Sequence, residues 1–174
     1  MGALEVLLEE HEIIEQTIEV LNKSVKNLEN GKKVSPEIFK KISDIIKNFA
    51  DKCHHGKEEH VLFPLIKKID VKESKVISLL LKEHKKGRTF IKALTKAISK
   101  KDTNGMIKNA NGYINLLPQH IKKENVIFPR WINPLSDEIK DGLFDEFEEI
   151  EEKVIGLGKH QEYVQNIEKL KNSL

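Results

Sequence analysis

HHGKEEHVLFP (residues 54–64) and HIKKENVIFP (residues 120–129) decide how this chain folds. Each holds a histidine with a glutamate four residues on: His54 with Glu58, and His120 with Glu124. An α-helix turns roughly 100° per residue, so positions four apart project within about 40° of each other. His55 lies about 60° to the other side of Glu58, so all three side chains can enter one cavity. The two stretches align without gaps over residues 55–64 and 120–129, as two quasi-equivalent halves of one site would. That alignment matches His55 and Glu59 to His120 and Glu124. The spacing from the first histidine gives His54 and Glu58 instead, and both registers stay open at this point.

Apolar residues at helical spacing place these stretches on two of four long helices. Helix B begins at Ser35-Pro36, an N-cap followed by proline at the first turn, and runs to about Lys68. Pro64 removes one of its backbone bonds and is expected to bend the last turns. Helix D spans about Thr103 to Trp131, with Tyr113, Leu117, His120, Glu124 and Ile127 on one face. Pro118 predicts a kink just before His120. Helix A, about Ala3 to Leu28, carries Leu7, Ile14, Ile18, Leu21 and Val25 with His11 in their midst, and Asn30-Gly31 ends it. Helix C starts after Asp70, with Glu73 placed as in a capping box, and its stripe of Ile77, Leu80, Ile91 and Leu94 includes His84. Gly87, one turn on, leaves room beside His84.

No stretch alternates as a strand would. The fold class is therefore all-α: an up-down antiparallel four-helix bundle over residues 1–132, with a C-terminal helical extension, 133–174, packed on it. A chain of 174 residues buries roughly 70% of its unfolded surface, enough for one core. The 30 basic and 28 acidic side chains are interspersed, so no basic face points to nucleic acid. No apolar run approaches the ~20 residues that cross a bilayer. The single cysteine, Cys53, rules out an internal disulfide and fits a reducing, cytoplasmic setting. The start of the chain lacks the features of a signal peptide.

His11, His54, His55, His84 and His120, with Glu58 and Glu124, make five imidazoles and two carboxylates facing the interior from four helices. A lone histidine on an apolar stripe is usually a satisfied core residue, but one on every helix is not explained that way. Burying unpaired carboxylates would cost several kcal/mol each. Seven ligands exceed one ordinary site and fit two metals if each carboxylate bridges. Imidazole with carboxylate suits iron. A structural zinc site would more often use cysteine, and neither HExxH nor Glu-x-x-His occurs. Glu59, His60 and Glu83 read as solvated groups or outer partners of ligating imidazoles. Cys53, His160, Tyr163 and Tyr113 read as packing residues, and the lysine-rich stretches as solvated faces.

Together these motifs resemble the hemerythrin-like, or HHE cation-binding, family. They are His11 in LLEEHEIIE, HH-x-KEE-x-x-LFP at 54–64, EH at 83–84, and H-x-x-x-EN with a following FP at 120–129. The resemblance spans at least residues 4–131. It implies a non-heme di-iron centre with an oxo or hydroxo bridge, the five histidines as terminal ligands and Glu58 and Glu124 as bridges. The family pattern favours His54 with Glu58 and leaves Glu59 in reserve. Oxygen carriers of the family bear a second histidine where this chain has Arg88; His55 is expected to supply that imidazole. The implied role is binding or sensing of dioxygen, nitric oxide or a related small gaseous or oxidant ligand, with a separate protein partner if it is a sensor. The alternative is a di-iron enzyme acting on peroxide or nitric oxide, or an iron donor for iron–sulfur repair. Repair proteins carry a cysteine-bearing segment ahead of the bundle, and the start at helix A is read against that subtype.

Overall fold

The computed structural model describes residues 1–156 and 158–174, and no strand occurs among them. The order is α1 (Ala3–Glu29), α2 (Pro36–Ile45), two π-helical stretches (Ile46–His55 and Glu58–Leu62), α3 (Phe63–Ile69), a 3₁₀ turn (Val71–Glu73), α4 (Ser74–Ser99), α5 (Thr103–Ile132), α6 (Asp137–Val154) and α7 (Lys159–Asn172). From Pro36 to Ile69 the chain is helical without a break, so helix B is one rod whose middle is wound as a π-helix.

Local chemistry sets the ends of these elements. Gly31 at φ 74° closes α1: its N–H donates to Leu28 O, and that of Lys32 to Asn27 O, the paired bonds of a Schellman turn. The Ser35 hydroxyl accepts from Glu37 N–H, with Pro36 at the first helical position. Asp70 caps through Lys72 N–H, but Glu73 lies within the 3₁₀ turn and does not reach back, so the expected capping box is not formed.

Pro64, Pro118 and Pro129 lie inside continuous helix. Helix α5 continues through both Pro118 and Pro129. In the helix B rod, the turn before Pro64 widens. Phe63 N–H donates to Glu58 O, a bond to the fifth residue back, and Gly56 N–H likewise reaches Asp51 O. Proline clashes with the carbonyl four residues before it, here that of His60. A π turn shifts that carbonyl aside, and such turns recur at functional sites. A wider turn also brings neighbouring residues closer in direction, which is how His54 and His55 both come to face the interior.

The four long segments neighbour one another in a ring: α1 packs on α5, α5 on α4, α4 on the helix B rod, and that rod on α1. Short connections between long neighbours make consecutive segments antiparallel. Helix α6 packs on α1 and the π-helical stretches, and α7 on α1 and α2, so the C-terminal helices cover the edge between α1 and the helix B rod. Gly87 is buried against α5, where a Cβ would lie 3.3 Å from Leu117 and 3.6 Å from Tyr113. The missing side chain thus admits part of the neighbouring helix.

The core falls into two apolar blocks. One gathers Ile14, Leu21, Phe39, Ile42, Phe49 and Leu94; the other Leu7, Leu62, Phe63, Leu80, Phe128 and Phe147. Between them lies a buried polar layer. No helix among the described residues is long and apolar enough to cross a membrane.

Candidate metal centre

The layer between the apolar blocks holds His11 from α1, His54, His55 and Glu58 from the helix B rod, His84 from α4, and His120 and Glu124 from α5, all buried. All seven side chains singled out in the sequence therefore come together. Their donor atoms form two groups, each within 4.8 Å: His11, His54, Glu58 and Glu124 in one, His55, Glu58, His84 and His120 in the other. Glu58 belongs to both. Its Oε1 lies 3.0 Å from His54 Nε2 and its Oε2 3.2 Å from His84 Nε2. Glu124 divides in the same way, with Oε2 3.1 Å from His11 Nε2 and Oε1 3.0 Å from His120 Nε2.

Every one of the five imidazoles is held from behind. Nδ1 of His11 meets Asn125 Oδ1 at 2.6 Å, and that of His54 meets Glu10 Oε2 at 2.8 Å. Asp51 serves His55 at 3.3 Å, Glu59 serves His84 at 2.7 Å, and Glu83 serves His120 at 2.8 Å. Each partner is an oxygen, so each Nδ1 carries the proton and donates. The Nε2 atoms facing the layer are then bare lone pairs, the arrangement that ligating imidazoles show.

This leaves acceptors facing acceptors. His11 Nε2, His54 Nε2 and both oxygens of Glu58 and Glu124 are buried without a hydrogen-bond partner. The 3.0–3.1 Å contacts bring nitrogen and oxygen close, yet these atoms lack hydrogen-bond geometry. His84 Nε2 and His120 Nε2 approach to 3.0 Å, a contact that requires a proton or a cation between them. Buried unpartnered groups cost about 1–3 kcal/mol each, more when charged, and cations between them would satisfy the whole set. The residues therefore fit a metal-ion site.

Without metal, protons take the cations' part. Burial alone would lower the pKa of His11, but the adjacent Glu124 and Glu58 carboxylates raise it to about 10. His84, also buried, is raised to about 11 by Glu124, Glu58 and Glu59. Burial would push Glu58 up, yet His54, His11 and His84 hold it well below the usual carboxylate range. Burial, with the nearby charge of His84, lowers His55 to about 4 and keeps it neutral. Its ring stacks on that of His84, centroids 3.8 Å apart.

Arg88 follows His84 by one helical turn. It pairs with Asp51 and Glu59, both at 2.7 Å, and so locks the carboxylates that hold His55 and His84. Glu59 is at the edge of the layer, turned to His84 Nδ1, whereas Glu58 is at its centre. His60 is exposed, and Cys53 is fully buried with its thiol pushed up to about 12 by burial.

Sequence reasoning passed over Lys57 and Glu10, both of them fully buried. Lys57 Nζ bonds to Glu10 and, at 2.9 Å, to Glu151 of α6, and Glu151 in turn lies 3.5 Å from His160 of α7. A third cluster of donors, Glu10, Cys53 and Glu151, surrounds this ammonium, which is the cation it needs. The spacing could have found Lys57: three residues after His54 and one before Glu58, it shares the buried face, but KEE reads as a solvated run.

Comparisons with known proteins agree with this geometry. The family model of the hemerythrin HHE cation binding domain matches residues 2–131. Uncharacterized protein Rv1995 of Mycobacterium tuberculosis and Uncharacterized protein Mb2018 of Mycobacterium bovis are each 23% identical over 180 residues, covering 99% of this chain and 70% of theirs. No solved structure matches the chain.

Two outcomes follow. Lys57→Met strands the buried Glu10 and Glu151, and is expected to cost about 3–5 kcal/mol in chemical unfolding. Lys57→Arg, which keeps the charge, should cost less. The second concerns pH. His11 and His84 have folded-state pKa values raised above the ordinary 6.5, so their stabilisation of the metal-free protein is complete below about pH 6.5 and is lost as pH rises through about 10 and 11. Thermal unfolding of the metal-stripped chain should therefore show a falling Tm from pH 7 to 11, and metal uptake at pH 7 should release protons.

Proposed function

We propose that this chain, which belongs to the hemerythrin HHE cation-binding domain family, holds two iron ions in its central layer and uses them to bind or sense dioxygen, nitric oxide or a related small molecule. The observation that carries this reading is the inward convergence of buried acceptors with no hydrogen-bond partners on His11, His54, Glu58 and Glu124. In this assignment His11 and His54 serve one ion and His55, His84 and His120 the other. Glu58 and Glu124 lie between and offer one oxygen to each side. We assign the metal-binding unit to residues 1–132 and regard 133–174 as an extension packed on it.

Iron is favoured by the donor set, imidazole and carboxylate without thiolate. The buried Cys53 belongs to the cluster around Lys57 rather than to the layer. A bound iron pair supplies redox electrons and coordination positions for a small ligand. The chain's own residues do the rest. Asn125, Glu10, Asp51, Glu59 and Glu83 fix each imidazole with its proton on Nδ1 and its lone pair inward. Phe128, 5.9 Å from the His11 ring, and Phe63, 6.0 Å from that of His84, close the layer with apolar surface and keep water from it. Three imidazoles on one side against two on the other would give the ions unequal protein donors and leave a coordination position for a small ligand on the poorer side.

Protein produced with iron should contain two irons per chain, and Glu58→Ala and Glu124→Ala should each contain fewer. Two irons in both variants would remove the bridging assignment. The anaerobic ferrous protein exposed to air should gain visible charge-transfer bands that reverse under vacuum. Irreversible bands with continuing peroxide consumption would turn the reading to an enzyme.

A further inference from the structure

A cavity of about 640 Å³ not used so far lies between the helix B rod and α4, floored by Tyr113 and Leu117 of α5. Its lining along α4 runs from His84 through Gly87, Ile91 and Thr95 to Ser99. The fifteen helical rises from His84 to Ser99 make this a slot about 22 Å long. The facing wall follows the same course, from His55 at the inner end to Ile46 and Lys47 at the outer. It lies on the side of the helix B rod away from α6 and α7, which pack along the edge with α1.

The slot has two chemically different ends. Its walls and floor below the rim are buried and apolar, with Ile46, Ile91, Leu117 and Tyr113, and the stacked rings of His55 and His84 form its inner end. Its outer rim carries Lys47, Lys92 and Lys96, all exposed, none of them in an ion pair among the described residues. The carboxylate that lines it, Asp51, is already engaged by Arg88 and His55. A diatomic gas needs no such volume, which falls in the roughly 300–1,000 Å³ range of pockets for larger organic ligands.

We infer that this slot binds a straight-chain alkyl carboxylate, its chain lying along α4 toward His55 and His84 and its carboxylate among Lys47, Lys92 and Lys96. Length and apolar walls select an extended hydrocarbon chain, and the unpaired ammonium groups at one end select a single anionic head. The site borders the metal layer but needs no metal to form, so it stands apart from the function proposed above.

Isothermal titration of the purified, iron-loaded protein with decanoate tests it, with metal content measured on the same sample. One decanoate per chain is expected, with affinity rising up to about fourfold per added methylene across hexanoate, octanoate and decanoate. Ile91→Trp, which fills the slot, should abolish binding. Thr95→Trp, at an exposed wall position that folding tolerates, should weaken it at least about tenfold. Lys92→Glu with Lys96→Glu should weaken decanoate about tenfold and leave decanol unchanged. Absence of saturable binding, or wild-type affinity in the folded Thr95→Trp protein, overturns the site. Equal affinity for decanoate and decanol in the wild type overturns the assignment of the head group. A sample that holds no iron yet binds decanoate fails the metal reading alone.

Discussion

A protein interior tolerates lone pairs and negative charge only where something positive or protic faces them. Here two carboxylates and five imidazole nitrogens are turned on one another across the middle of the core, and six of those atoms have no hydrogen-bond partner. The rest of the structure is arranged around that constraint. The apolar core is divided in two by it. The helix B rod is underwound into π turns that bring His54, His55 and Glu58 inward together. A ring of carboxylates and one amide outside the layer holds every imidazole in the tautomer that leaves its lone pair inward, at Glu10, Asp51, Glu59, Glu83 and Asn125. Such outer partners set both ring orientation and ligand basicity.

The seven inward donors were legible in the sequence because each sits on an apolar stripe. A polar residue among leucines and isoleucines at helical spacing must face the core. The caps at Gly31 and Ser35 were legible for a similar reason, since each depends on a local backbone requirement that few residue types meet. What was not legible depends on contacts between distant segments. The π-helical stretch needs a balance between Pro64, the packing of α4 and α6, and the seven donors themselves, and no local propensity encodes it. Glu10 lies next to His11 and carries no local sign of burial until His54, 44 residues on, is placed beside it. Lys57 sits in a charged run whose usual reading is a solvated face.

Lys57 also shows how the C-terminal helices join the bundle. From His54 the contacts pass to Glu10, to Lys57, to Glu151 on α6 and to His160 on α7. Contact with His160, and then with Lys57, holds the Glu151 carboxyl down at about 2 despite its partial burial. Burial would lower Lys57, but Glu10 more than reverses this and the ammonium keeps its charge. A buried ion pair contributes less net stability than its Coulomb energy suggests, because both charges lose their water. Its use here is positional: Glu10, which orients His54, is held by Lys57, and Glu151 of α6 holds Lys57 in turn.

The two sides of the layer differ in access as well as in donors. On the His11 side, Phe128 and the tightly paired Glu10 and Lys57 close the interior. On the other, the rings of His55 and His84 form the inner end of the slot along α4. Arg88 stands at that junction, bonded to Asp51 and Glu59, where the carriers that this chain resembles place a further imidazole. His55 on the facing wall brings the fifth imidazole to the layer, stacked on His84, and the space along α4 is lined by apolar side chains. One wall thus sets both the donors on that side of the layer and the shape of the approach to them.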